Sequence, residues 1–421
     1  MVRVFIETYG CTLNQADSDI LKALVQERHE IVLNEDECEL IILNTCTVKG
    51  TTENKIFSRL ETLSKKFVVC GCMDAERIRK FAPNAPIVGT SSLNSINDAI
   101  DDALAGKSTI YKKPESKDSL PKLLSAPIMR IPINDGCLSS CNFCQTKLSR
   151  PYLRSYFPKT IVNWINKSVG AGAREIQLTS MDSGAYGRDI KTNLIELLDL
   201  IIDDNSSSTK SEEEYLIRLG MLNPNHAKEM LPELIRIFKN RKFYKFLHVP
   251  VQAGSEKVVK EMNRDHSVAD FVEIANAFRR EIPEFVISTD IIVGYPTETE
   301  DDFEKTLDLL RNVRPDIINI SRFSPRPGTK AQKLKQLPTQ ELKRRSRETT
   351  LLSSEIRSQS RRNLIGKEYT ILITESYPDF RGRNVNYQQV VVKEFGGNLG
   401  ERIKVKIVDA DQNSLFGEII I

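Results

Sequence analysis

Cys137, Cys141 and Cys144 stand in the run Cys137-Leu-Ser-Ser-Cys141-Asn-Phe-Cys144. Three soft thiolates at this spacing can each ligate one iron of a four-iron cluster, leaving the fourth iron open to another ligand. A structural zinc site competes with this reading, but zinc wants four ligands, and after Cys144 no His or Cys follows until His226. A second, more scattered set is Cys11, Cys46 and Cys72. All eight cysteines precede residue 145, a poor layout for a disulfide scaffold. Clustered thiols in a reducing compartment are metal ligands or reactive groups. Cys38 and Cys70 fall inside strand signals and suit small buried hydrophobes, although Cys70, two residues from Cys72, is an alternative third ligand.

These thiols need elements to hold them. The first hundred residues alternate apolar strand runs (RVFIETYG, ELIILNTC, FVVCGC, PIVGT) with helical patterns near 15–28, 51–66, 74 onward and 93–104. That is a small parallel sheet with helices on both faces. Sites in such folds lie at the carboxyl ends of strands, and Cys11, Cys46 and Cys72 each fall just past one. From Gly106 to Pro127 periodicity gives way to Lys, Pro, Ser and Asp, the composition of a surface linker. Six further strand-helix units follow, beginning with IMRIPIND directly before Cys137, and imply a partial barrel with its site at the carboxyl-end loops. DDNSSSTKSEEE within it is a polar loop. After the Arg-rich stretch ELKRRSRETTLLSSEIRSQSRR, a solvated helix or an RNA phosphate surface, come four short strand signals that suit a small antiparallel barrel. The expected domains are 1–106, a linker over 107–127, 128–360 and 361–421.

The C-x3-C-x2-C run after a strand resembles that of the radical S-adenosylmethionine superfamily. Tyr9-Gly10-Cys11, Asn44-Thr45-Cys46-Thr47-Val48 and Gly71-Cys72-Met73 resemble the three cysteine motifs of its methylthiotransferase family. Further matches are Leu178-Thr179-Ser180, Asp182, Tyr186-Gly187, the His248 to Ser255 segment, Met262-Asn263-Arg264 and the Thr289 to Pro296 segment, while Thr297 stands where the family usually has Gly. Cys141-Asn-Phe-Cys144-Gln-Thr-Lys147 is most similar to the archaeal and eukaryotic branch, whose substrate is N6-threonylcarbamoyladenosine beside the tRNA anticodon; Ser149-Arg150-Pro151 departs from that branch's Ala-Arg-Gly.

The resemblance implies a transferase that adds a methylthio group at adenine C2, with two 4Fe-4S clusters and S-adenosylmethionine as cofactors, an electron donor and tRNA as partners, and a radical cleaved from the cofactor as hydrogen abstractor. It assigns one cluster to Cys11, Cys46 and Cys72 and the other to Cys137, Cys141 and Cys144. It places Gly172 and Glu175 where a glycine-rich segment meets the cofactor amine, and backbone near Val293 against its adenine. Thr179, Ser180, Asp182, His248 and Gln252 are strand-end polar candidates for cofactor or substrate, and Asp290, inside the apolar run TDIIVG, is a further candidate that needs a partner there; for His248 a satisfied core histidine is an equal reading. Tyr186 is either a base-stacking platform or packing. The terminal module resembles the TRAM domain, which implies RNA binding; Arg381, Arg383 and Tyr387, arginines beside an aromatic, suit phosphate contact and base stacking, with Tyr377 in the same stretch. N6-isopentenyladenosine in tRNA, a ribosomal protein, and a non-catalytic electron-carrier role stay open as alternatives.

The composition limits the rest. With 421 residues, 40% hydrophobic and 28% charged, the chain is an ordinary multidomain globular protein, and its net charge of +3 neither demands nor excludes RNA. No apolar run is long enough for a membrane span, and the N-terminus alternates like a strand instead of forming a signal peptide, so a cytoplasmic location is expected.

Overall fold

The computed structural model describes residues 1–48, 50–204, 215–376 and 378–420; most of the DDNSSSTKSEEE loop and Tyr377 lie outside them. The N-terminal strands form one parallel sheet of six, with Arg3–Thr8 between Glu30–Ile31 and Leu40–Thr45, followed outward by Lys66–Gly71, Ile87–Gly89 and Ile110–Tyr111. Leu40–Thr45 is buried along its whole length because helices cover both faces, which explains the apolar run Leu40 to Leu43. Val4, Leu40, Ile42 and Val68 pack one face and Ile41, Leu43 and Val69 the other.

The stretch 106–127 is more than a surface crossing. Ile110–Tyr111 completes the sheet, and Lys117 is buried against Asp17 and Asp135. Lys122 donates to the Ala16 carbonyl at 3.0 Å beside Asp19. Two-residue strands and paired lysines carry no periodic signal, so composition alone made this segment look solvated.

The central domain has six parallel strands in two groups of three, Ile128–Pro132, Glu175–Thr179 and Leu216–Arg218, then Phe246–His248, Val286–Val293 and Ile317–Arg322, with a parallel bridge at Ile217 and Phe243 between the groups. Outward-facing Met129, Ile176, Ile217, Leu247 and Ile287 form one core with the covering helices. The inward faces carry Gln177, Arg218, His248, Asp290 and Asn319, the period-two alternation of strands with an apolar outside and a polar lumen.

Helix Thr339–Arg362 crosses to the C-terminal domain. Its Arg344 and Arg345 are engaged by Glu298, Glu300, Glu341 and Glu348, and Arg345 is buried, so these arginines hold the helix to the central domain. The last five strands close into a barrel in the order Glu368–Glu375, Phe380–Arg383, Gln389–Val392, Leu415–Ile419, Arg402–Ala410. Four of its ladders are antiparallel, and the pairing of Gln389–Val392 with Leu415–Ile419 is parallel, a departure from the wholly antiparallel expectation.

Candidate cluster sites and the domain junction

Cys11 caps the helix Thr12–Gln26, Cys46 follows Leu40–Thr45, and Cys72 follows Lys66–Gly71, so three adjacent parallel strands deliver them to one edge. Burial raises the titration of Cys11 and Cys46, and the neighbouring Cys72 sulfur adds to the effect on both. The supporting loops are stitched together from behind. Asn14 Nδ2 donates to Asn44 Oδ1 (2.7 Å) and to the Thr45 carbonyl (3.1 Å), Asn44 Nδ2 donates to Ser18 Oγ (2.8 Å), and Thr45 Oγ1 donates to the Cys70 carbonyl (2.6 Å). Gly71 turns the chain with φ of 103°, and a Cβ there would lie 2.4 Å from the Thr45 carbonyl, so only glycine fits between Cys70 and Cys72. Cys70 points into the apolar core beside Val68 and Val88 and Cys72 lies at the edge.

Cys137, Cys141 and Cys144 occupy the loop after the first barrel strand. Ser139 N–H approaches Cys137 Sγ at 3.4 Å, and Arg264 Nη1 donates to Cys141 Sγ at 3.3 Å. Asp182 Oδ2 lies 3.9 Å from Cys137 Sγ and accepts from Asn223 Nδ2 at 2.6 Å, with His226 Nδ1 2.9 Å away. Burial alone would push the Asp182 carboxyl up; the His226 and Asn223 contacts win and hold it below the ordinary range. Burial pushes Cys46 and Cys137 up to about 11, so both thiols keep their protons until a metal replaces them. Among the described residues no three His, Cys, Asp or Glu side chains close on a single ion. A four-iron cluster asks for something different, each thiolate on its own iron. Two sets of three thiols, with N–H and guanidinium donors already aimed at sulfur, fit such clusters.

The two loops meet. Thr47, next to Cys46, has its hydroxyl 2.6 Å from the side-chain amide of Gln145, next to Cys144. Arg326 reinforces the junction, donating to Glu53 Oε2 at 2.7 Å and to the Val48 carbonyl at 2.8 Å. Lower in the interface, Arg150 bridges Asp17 of the N-terminal domain and Asp135 of the central one, and Lys117 joins both carboxylates. A cavity of about 640 Å³ opens between the domains, lined by Cys72, Met73, Gln145, Arg150, Tyr152 and Arg154 among others.

The remaining candidates divide. Thr179 is buried at the end of its strand, Ser180 and Ser183 share a hydrogen bond at 3.0 Å, and Asp182 faces Cys137, so this turn belongs to the cysteine mouth. His248 Nε2 lies 2.9 Å from Asp290 Oδ1, which also accepts from Asn319 Nδ2 at 2.9 Å; both residues project into the lumen on neighbouring strands. Gln252, at φ of 73°, is buried and ties the two strands through its backbone, donating to the Asp290 carbonyl at 2.9 Å. The Val293 carbonyl is taken by Phe323 N–H at 2.9 Å. Gly172 and Glu175 lie at the start of the second barrel strand, the end opposite the cysteines, because they precede the strand instead of following it. Glu175 there accepts from Arg383 at 3.1 Å and from the Tyr244 hydroxyl at 2.8 Å. Tyr387 is wedged between Tyr244 and Phe246, with ring centroids 4.9 Å from each. Arg383 and Tyr387 thus plug the floor of the central domain, whereas Arg381, two positions earlier on the same strand, is half-buried. Tyr186 is fully buried and donates to the Tyr156 carbonyl at 2.8 Å, a packing role. The sequence does not single out Asn223, His226 or Arg326, whereas Arg264 and Arg150 lie within the motifs that carry the resemblance, without a role assigned there.

Residues 131–310 match the radical SAM superfamily and residues 3–89 match uncharacterized protein family UPF0004. The chain is 40% identical to a probable threonylcarbamoyladenosine tRNA methylthiotransferase of Pyrococcus horikoshii over 100% of both chains, and 41% identical to one of Archaeoglobus fulgidus over 99% of both. A threonylcarbamoyladenosine tRNA methylthiotransferase of Drosophila melanogaster is 34% identical over 99% of this chain and 78% of its own. Among solved structures, the radical S-adenosylmethionine methyltransferase TsrM of Kitasatospora setae superposes with a TM-score of 0.57 at 10% identity, covering 78% of this chain and 77% of its own, a likeness of fold alone. No helix among the described residues is long and apolar enough to cross a membrane.

Proposed function

The chain belongs to the radical SAM threonylcarbamoyladenosine tRNA methylthiotransferases, and from that membership we propose how its residues divide the work of adding a methylthio group to C2 of N6-threonylcarbamoyladenosine in tRNA. Bound 4Fe-4S clusters and S-adenosylmethionine supply the radical and the sulfur transfer, chemistry that no side-chain acid or base performs on an unactivated C–H. Cys137, Cys141 and Cys144 hold the cluster that takes S-adenosylmethionine; Cys11, Cys46 and Cys72 hold the one that presents sulfur. The observation that supports this reading is the contact of Thr47 with Gln145, which joins the loops carrying the two triplets across the domain junction. A substrate atom between them reaches both.

Thr179, Ser180 and Asp182 orient cofactor or substrate at the mouth, and Asp182 is itself fixed by His226 and Asn223. The His248, Asp290 and Asn319 group offers hydrogen bonds to a ribose or base in the lumen. Residues 1–106 serve as the sulfur-delivery domain, 107–127 as its tether, 128–360 as the radical domain and 361–421 as an RNA-binding barrel, with Arg381 as its phosphate contact. Since Arg383 and Tyr387 anchor that barrel to the central domain, RNA held by it is held in fixed register with the mouth. An external electron donor would supply the reducing electron to clusters held by these cysteines, and a tRNA substrate suits a cytoplasmic enzyme. The test is anaerobic reconstitution with iron and sulfide, followed by S-adenosylmethionine, reductant and tRNA carrying N6-threonylcarbamoyladenosine; mass spectrometry of the digested nucleosides should show its 2-methylthio derivative. An unmodified nucleoside alongside modification of a ribosomal protein or of N6-isopentenyladenosine would reassign the substrate.

A further inference from the structure

Arg264 is a cation placed on a sulfur. Its Nη1 donates to Cys141 Sγ at 3.3 Å, its Nη2 donates to the Pro250 carbonyl at 3.1 Å, and its Nε is buried with no hydrogen-bond partner. Among the described residues no carboxylate pairs with it, unlike Arg150, Arg326 and Arg345, each held by one or more. A half-buried guanidinium without a counter-ion is costly unless negative charge arrives beside it. The three cysteines in their ligating, deprotonated form bring that charge.

The segment carrying Arg264 is also clamped to the cysteine loop. Asn142 N–H donates to the Met262 carbonyl at 2.9 Å, Asn142 Nδ2 to the Glu261 carbonyl at 2.7 Å, and Asn263 Nδ2 to the Ser140 carbonyl at 2.8 Å. Asn263 adopts φ of 58°, which turns the chain so that Arg264 faces Cys141. Cys141 thereby differs from Cys137, whose sulfur has the Asp182 carboxylate as its neighbour.

We propose that Arg264 is a positioning residue that sets the reduction potential of the cluster held by Cys137, Cys141 and Cys144, through its charge-assisted hydrogen bond to Cys141 Sγ. This rests on the proposed assignment of that triplet as the cluster binding S-adenosylmethionine. One electron passes from an external reductant to the oxidised cluster, whose net charge becomes more negative by one, with no bond made or broken in the protein. Hydrogen bonds to cluster sulfurs are among the levers on such potentials. A fixed positive charge at the sulfur stabilises the more negative, reduced state, so the guanidinium raises the potential and makes a strongly reducing step easier to reach.

The test is an anaerobic dithionite titration of the full-length enzyme carrying both clusters, followed by electron paramagnetic resonance, with iron content measured in each sample. The signal that changes when S-adenosylmethionine is added identifies the cluster with the open iron. Arg264→Gln should keep iron and lower the reduced-to-oxidised ratio of that cluster at fixed potential by about tenfold, a shift of about 59 mV to more negative values. Arg264→Lys, which retains the charge, should shift it by less than half as much, and the other cluster should stay put in both. Asn263→Gly loosens the same clamp yet tolerates the left-handed backbone, and should leave the potential unchanged. An unmoved potential in a fully loaded Arg264→Gln enzyme overturns the proposal. So does an equal shift in Asn263→Gly, or loss of iron in Arg264→Gln while Arg264→Lys keeps both iron and potential, since each makes the role purely structural. If S-adenosylmethionine perturbs neither signal in wild type, the cluster assignment fails, a result distinct from all of these.

Discussion

His266 makes the segment behind Arg264 sensitive to acid. It is buried, with Nε2 3.3 Å from the Val251 carbonyl and Nδ1 without a partner. Burial, aided by the Arg264 charge, pushes its pKa down to about 4 from the ordinary 6.5. The unfolded chain therefore takes up a proton before the folded one does as the pH falls. The stabilisation is complete above 6.5, declines between 6.5 and about 4, and is exhausted below that. The full effect is about 3 kcal/mol, of which about 2 is already lost at about pH 5. His266→Gln removes the titrating group and, at neutral pH, costs only about 1 kcal/mol for a weakened contact to Val251. The assay is urea unfolding across this range, read by fluorescence of Trp164, the single tryptophan, which is buried in the same domain core. Wild type should lose stability relative to the variant as the pH falls, the two curves converging and then crossing near pH 5–6. Parallel curves for the two proteins would mean that His266 titrates alike in the folded and unfolded chain, which would refute the coupling.

The Arg383 to Glu175 bridge should fasten the C-terminal barrel: Arg383→Ala strands a buried carboxylate, and because Tyr244 and Gln177 still serve Glu175, the cost should sit near the low end of 3–5 kcal/mol, seen as earlier release of the barrel in limited proteolysis, with Glu175→Gln/Arg383→Met recovering most of it. Gly71→Ala should displace the Cys72 loop and lower iron content by about one cluster, because its Cβ has no room beside Thr45; full occupancy by iron analysis would contradict this. Arg381→Glu should weaken tRNA binding, with a salt slope reduced by about 1, while cofactor cleavage is spared; unchanged affinity moves the RNA contact elsewhere.

The placement of the cysteines was legible in the sequence because its signal is local: each thiol follows a strand run, and parallel strands must bring such positions to one edge. What holds the two triplets together was not. Arg150 meets Asp17 across 133 positions and Arg326 meets Glu53 across 273, and pairings that distant leave no periodic trace. Gly172 and Glu175 illustrate a different failure, since a glycine turn beside a strand looks the same whether it enters or leaves the strand. Arg383 beside Tyr387 has the composition of an RNA contact, but the same pair serves equally well against Glu175 and the rings of Tyr244 and Phe246. Only the docked barrel distinguishes the two.

The division of labour between the two triplets is tested most directly by measuring 5′-deoxyadenosine and methylthiolated nucleoside together, with iron content, in wild type and in Ala variants of all eight cysteines. Cys137, Cys141 and Cys144 variants should make neither product; Cys11, Cys46 and Cys72 variants should make 5′-deoxyadenosine without the modified nucleoside; Cys38 and Cys70 variants should make both. Modified nucleoside from any Cys11, Cys46 or Cys72 variant would contradict the two-cluster account, and loss of the N-terminal cluster on removing Cys70 but not Cys72 would overturn its ligand set.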